Sequence, residues 1–124
     1  MNLFVYGTLM GGAPQGALLV GLERRAASLR GRLYDLPAGY PALAALREEG
    51  DGPVHGELVL GLDEGRLGLL DRYEGVDEGL YRRVERDVDL GLRRLRAWVY
   101  VMEHPLRRGG RLVTDGRWRG VRRR

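Results

Sequence analysis

The sequence predicts an α+β fold, a strongly curved or closed mixed sheet with one clear helix. Three observations carry that expectation. Most of the chain reads as short strands, one segment alone has a helical stripe with start and stop signals, and no repeat or Pro/Gly/Ser-rich linker divides the 124 residues.

The elements follow in order. Leu3–Tyr6 is an apolar strand stopped by Gly7, and residues 10–16 form a loop because neighbouring Gly and Pro oppose both ladder and helix. A helical turn is expected near Ala17–Gly21. Arg25–Leu36 reads as one strand, followed by the turn signal Pro37-Ala38-Gly39 and a short apolar segment, Tyr40–Leu46. After a loop at Glu48–Gly52, residues Val54, Gly56, Leu58 and Leu60 alternate as a strand. Asp63 is placed as a helix N-cap, because its carboxylate can accept from the first free amides. The helix runs to about Tyr73 and stops at Gly75. Tyr81–Leu90 and Leu95–Met102 are two antiparallel strands around a turn near Gly91. Val84 and Val88 mark one face of the first, and Ala97, Val99 and Val101 one face of the second.

Composition narrows the function classes. With 44% apolar and 31% charged residues the chain is of the globular type. No apolar run approaches the roughly 20 residues that span a bilayer, so no membrane association is expected. The first residues lack the features of a secretory signal, which makes the cytoplasm the expected location. The net charge of +4 is unevenly placed. Residues 105–124 hold eight arginines and one acid, a net of +7, whereas residues 1–104 hold thirteen arginines and sixteen acids, a net of −3. A body that is slightly acidic, without a recognition helix or stacking aromatic motif, argues against a nucleic-acid partner. The basic end reads as a solvated charge run.

The reactive inventory is short. The sequence has no Cys and no Lys, which removes thiol nucleophiles, Schiff-base lysines and the P-loop lysine. Ser28 is the lone serine and lies in an expected strand without a nucleophile elbow. His55 and His104 stand apart with no ligand spacing, so no metal site is expected. Acid–base work falls to a carboxylate or a tyrosine.

Glu74 stands out among the glutamates. It follows Leu67 by seven residues and Leu70 by four, which puts it on the helix's apolar stripe. It also sits at the helix C-terminus, where the macrodipole disfavours negative charge. Burial and dipole both favour the neutral acid and raise the pKa expected of it, as a general base requires. The alternative is a helix frayed at Tyr73, with Glu74 turned outward to pair with an arginine. A second signal is Tyr6-Gly7-Thr8-Leu9. A strand ending in Gly can present successive amides as an anion-binding nest, or be an ordinary strand end.

Here a family resemblance enters. Tyr6-Gly7-Thr8-Leu9 resembles the Y-G-[ST]-L signature of the AIG2-like, γ-glutamylcyclotransferase-like family. Tyr40-Pro41, Val54-His55-Gly56-Glu57-Leu58, Leu70-Asp71-Arg72-Tyr73-Glu74-Gly75, Tyr81-Arg82-Arg83, Ala97-Trp98-Val99-Tyr100 and Gly116-Arg117-Trp118 are similar to further family segments, in the family's order. The resemblance implies a small mixed β-barrel with flanking helices, as one domain over residues 1–120 with a basic tail at 121–124. It implies a cofactor-independent enzyme whose partner is a small γ-glutamyl amine or peptide. The substrate's α-amine attacks its own γ-carbonyl, which releases 5-oxoproline and a free amine. Glu74 matches the family's proton-transferring glutamate, and Tyr6, Gly7, Thr8 and Leu9 match its substrate-binding residues. Tyr40 and Tyr81 are expected to line the same cavity. Intramolecular cyclisation supplies its own nucleophile, which agrees with an inventory lacking Cys and offering one Ser. Gln15 departs from the Asn usual in the following loop. Glu57 is the competing carboxylate, and a non-catalytic small-ligand-binding domain of the same fold is the competing function.

Overall fold

The computed structural model describes residues 1–7, 9, 10 and 16–120. Five strands close a mixed barrel in the order β1-β5-β2-β6-β7: β1 (Leu3–Val5), β2 (Arg24–Gly31), β5 (Gly52–Val59), β6 (Arg82–Asp89) and β7 (Arg94–Val101). β1 runs antiparallel to β5 and parallel to β7, which makes the barrel mixed. A smaller antiparallel sheet orders β4 (Pro41–Leu43), β3 (Leu33–Asp35) and β8 (Arg111–Leu112). One α-helix, α1 (Glu64–Tyr73), joins β5 to β6. Two short 3-10 helices, Gly16–Leu19 and Pro105–Arg108, complete the elements among the described residues. No helix among them is long and apolar enough to cross a membrane.

β1 is apolar throughout because both of its faces are covered. Phe4 and Tyr6 pack with Leu29, Leu58, Val88, Ala97, Val99 and Val101 in one buried cluster. Leu3 and Val5 pack with Val59, Leu67, Leu70, Tyr81 and Tyr100 in another, between the barrel wall and the helix. Leu67 and Leu70 of α1 are buried as their spacing predicts, each contributing about 1.5–3 kcal/mol of apolar transfer. The β6–β7 hairpin forms with Val84 opposite Val99, and its turn is closed by the Asp89 carboxylate accepting from the Gly91 amide at 2.7 Å.

One expectation is corrected. The single strand expected over Arg25–Leu36 is two strands in different sheets, because the chain turns at Arg32. That side chain is drawn towards Glu48 and Asp51, at 2.8 and 3.1 Å, and its carbonyl accepts from the Ala44 amide at 2.9 Å. The bend is made by partners distant in sequence, not by a local turn signal. Among the described residues the helices beside the barrel are α1 and the two 3-10 segments. The tail at 121–124 and most of the loop at 10–16 lie outside the described residues.

Candidate active site

The end of α1 fixes the position of Glu74. Asp63 caps the first turn, its Oδ1 accepting from the Arg66 amide at 2.7 Å. At the other end Glu74 is the C-cap, with φ −81° and ψ −1°, and Gly75 follows at φ +67°. The Glu74, Gly75 and Val76 amides donate to the carbonyls of Leu70, Arg72 and Asp71 at 2.8, 3.1 and 3.0 Å. The last two bonds are those of a Schellman turn, which needs a residue at ease in the left-handed region at Gly75. The helix therefore does not fray at Tyr73. No ion pair to Glu74 forms among the described residues.

Its carboxyl instead faces a cavity of about 420 Å³. Tyr6, Gly7 and Leu9 line one side, Gly39, Tyr40 and Pro41 another, and Tyr73, Leu80, Tyr81 and Tyr100 complete the wall with Phe4 and Val5. Glu74 is the one carboxylate among these lining residues, and no Arg, His or Ser accompanies it. Burial pushes the Glu74 carboxyl from its ordinary 4.5 up to about 7.

The tyrosines are girders as much as walls. The Tyr6 hydroxyl donates to the Tyr100 carbonyl at 2.6 Å and accepts from the Leu43 amide at 3.1 Å, stitching together the end of β1, β4 and β7. The Tyr81 hydroxyl donates to the Pro41 carbonyl at 2.6 Å. The Tyr100 hydroxyl donates to Asp71 Oδ1 at 2.7 Å. Burial first, and then nearby negative charge including Glu74, pushes all three phenols above their ordinary range. They stay protonated near neutrality, and Glu74 is left as the group able to exchange a proton there.

Asp71 is differently placed. Arg83 holds it with two bonds, Nε to Oδ1 at 2.8 Å and Nη2 to Oδ2 at 3.1 Å, and the guanidinium lies 4.3 Å from the centre of the Trp98 ring. This ties α1 to β6 and β7 just before Glu74.

Gly7 answers a packing demand. A Cβ there would lie 2.4 Å from Pro41 Cγ, so the turn after β1 and the start of β4 approach too closely for any side chain. The Met10 amide bonds the Gly7 carbonyl at 3.0 Å and closes the turn. The Gly7 and Leu9 amides make no backbone hydrogen bond among the described residues. Glu57 does not line the cavity; it accepts from Arg24 Nη1 at 3.2 Å, while the same nitrogen donates to the Leu9 carbonyl at 3.0 Å.

The structure thus brings Tyr6, Gly7, Leu9, Tyr40, Glu74 and Tyr81 to one cavity, whereas Thr8 lies outside the described residues. Sequence reasoning missed Tyr73, Leu80 and Tyr100 as lining residues. Tyr100 lies in β7 on the face opposite Ala97, Val99 and Val101, and an aromatic at that alternate position was its signal. Asp71 and Arg83 were within the quoted segments, but nothing in their spacing showed that they pair.

Comparison with known proteins agrees with the fold. The sequence matches the family described as Gamma-glutamyl cyclotransferase, AIG2-like over residues 3–120. Among solved structures, YkqA from Bacillus subtilis is similar with a TM-score of 0.75 at 24% identity, over 94% of this chain and 39% of that one. The present chain therefore spans about two fifths of that protein's length. PH0828 from Pyrococcus horikoshii is similar with a TM-score of 0.70 at 21% identity, over 94% of this chain and 88% of that one. An AIG2-like protein from Mus musculus is similar with a TM-score of 0.67 at 23% identity, over 82% of this chain and 76% of that one. A sequence search of curated proteins found no match.

Proposed function

The chain belongs to the γ-glutamyl cyclotransferase, AIG2-like family, and from that premise we propose that it cleaves a γ-glutamyl amide by internal cyclisation, with Glu74 as the proton carrier. The observation that supports this most strongly is the presence in one cavity of a single carboxylate whose pKa is raised to about 7, among lining residues that include no Ser, Arg or His. A general base poised near the working pH is the group such a reaction needs.

In the proposed reaction Glu74 accepts a proton from the substrate's α-ammonium. The freed nitrogen attacks the γ-carbonyl carbon, forming the N–C bond of the five-membered ring. The tetrahedral intermediate then collapses with cleavage of the original amide bond. The α-nitrogen gives up two protons over the reaction and the departing nitrogen gains two, so Glu74 ends as it began. The products are 5-oxoproline and a free ammonium. Because nucleophile and electrophile belong to one molecule, the cavity's contribution is to hold them in a near-attack geometry. The Gly7 and Leu9 amides, which make no backbone hydrogen bond among the described residues, are proposed to receive the substrate's α-carboxylate, and the rings of Tyr40 and Tyr81 to flank its chain.

The test is release of 5-oxoproline from a panel of γ-glutamyl amides, followed by mass spectrometry, for the parent beside Glu74→Gln and Glu57→Gln. Turnover by the parent and by Glu57→Gln, with that of Glu74→Gln lower by about 10²-fold or more, is the expected pattern. Equal turnover by all three variants would end the mechanism. No turnover by the parent on any amide, with the amides still bound, would make the chain a binding domain instead.

A further inference from the structure

The barrel does not close evenly. β2 pairs with β5 from Arg24↔Val59 through Gly31↔Gly52, yet it meets β6 only at Ser28↔Asp89 among the described residues. Continued antiparallel register would set Arg30 opposite Asp87, and that pair does not form. The strands diverge there, and a concavity of about 300 Å³ opens between them, away from the Glu74 cavity and sharing no lining residue with it.

Arg30 of β2, Arg86 of β6, Arg94 of β7 and Arg47 from the segment after β4 converge on this seam. None of the four takes part in an ion pair among the described residues. Arg30 Nη1 donates to the Asp51 carbonyl at 3.0 Å, and Arg86 Nη2 to the Ala45 carbonyl at 3.1 Å. Both guanidiniums are therefore held in place without being neutralised. The acids at the seam are engaged elsewhere, Asp87 with Arg96 at 3.3 Å and Asp89 with the Gly91 amide at 2.7 Å. Arg86 is half-buried; burial, and then repulsion from Arg47, Arg82 and Arg96, pushes its guanidinium below the usual arginine range. A half-buried cation among like charges gains from an anion that its donors can reach, and guanidinium geometry suits the oxygens of a phosphate.

We propose that this seam is a binding site for a phosphate-type oxyanion, with Arg86 at its floor, Arg47 facing it, and Arg30 and Arg94 at the rim. The cluster is confined to one concavity, whose lining also includes Asp87 and Asp89. That arrangement suits a compact anion, free or on a small ester, better than a continuous nucleic-acid backbone.

The experiment is calorimetric titration of the whole chain at low ionic strength with inorganic phosphate, pyrophosphate and glycerol phosphate in separate arms. Saturable one-site binding of at least one of them is expected. It should weaken with added chloride and fall about tenfold in both Arg47→Gln and Arg86→Gln. Glu74→Gln should bind as the parent does, which separates this site from the cavity. Arg47 is exposed, so its variant keeps the test valid if Arg86→Gln melts early. Absence of saturable binding in the parent, or binding unchanged in Arg47→Gln, would overturn the proposal. So would tight binding of a single-stranded oligonucleotide that both substitutions abolish.

Discussion

Asp71 and Glu74 leave the same helix end three residues apart, and the barrel treats them in opposite ways. Asp71 accepts from Arg83 twice and from Tyr100 once. Glu74 faces the cavity, has no ion-pair partner among the described residues, and is raised by burial to about 7. One carboxylate fastens the helix to β6 and β7, while the other is left able to exchange a proton. A reactive group can stay unsatisfied at a helix end only if something next to it holds that end still. Here the ion pair of Asp71 and the turn at Gly75 hold it.

The comparison breaks most visibly in turnover. Glu74→Gln is expected to lower kcat by about 10²–10⁴-fold with a smaller change in KM, as loss of one positioned acid–base group does. Steady-state assay of 5-oxoproline release checks this. In the parent, kcat/KM should fall as pH drops through about 7, because Glu74 then holds its proton and is no longer a base.

The next effect is on stability, and it runs the other way. Below the ordinary value of 4.5 both folded and unfolded chains hold the Glu74 proton, and the group contributes nothing. As pH rises from there through about 7, the unfolded chain ionises first and the folded chain loses stability. The full shift corresponds to an upper bound of about 3 kcal/mol. Glu74→Gln should therefore be more stable than the parent above neutrality, and close to it in acid. Urea melts at the two extremes check the sign.

Asp71→Asn should do the reverse. It keeps Glu74 in the chain but strips the charge from Arg83's partner, costing about 1–3 kcal/mol in denaturant melts and lowering turnover less than Glu74→Gln does. The smallest effect expected is at Glu57. Its partner Arg24 also holds the Leu9 carbonyl, so Glu57→Gln should shift KM modestly while kcat stays within a few-fold of the parent.

What the sequence disclosed follows the range of the forces involved. Asp63, Leu67, Leu70 and Gly75 define α1 through local capping and spacing, and all are found as read. The β6–β7 hairpin was legible for the same reason. The break at Arg32 was not, because Glu48, Asp51 and Ala44 make it from elsewhere in the chain. β8 is two residues among glycines, and only its pairing with β3 makes it a strand. At the site, Glu74 was legible from helical spacing and the family likeness. The engagement of the Tyr6, Tyr81 and Tyr100 hydroxyls by the protein was not, since each bond crosses many residues of sequence.

The central claim is that Glu74 carries a proton near neutrality, and its titration can be followed without any substrate. Glutamate labelled with ¹³C at the side-chain carboxyl gives a resonance for each Glu, and Glu74→Gln identifies the one that belongs to Glu74. Its chemical shift is then measured from acid to alkaline pH. A midpoint near 7 is the result predicted here. A midpoint close to the ordinary 4.5 would mean that the carboxyl is solvated, and would contradict the account.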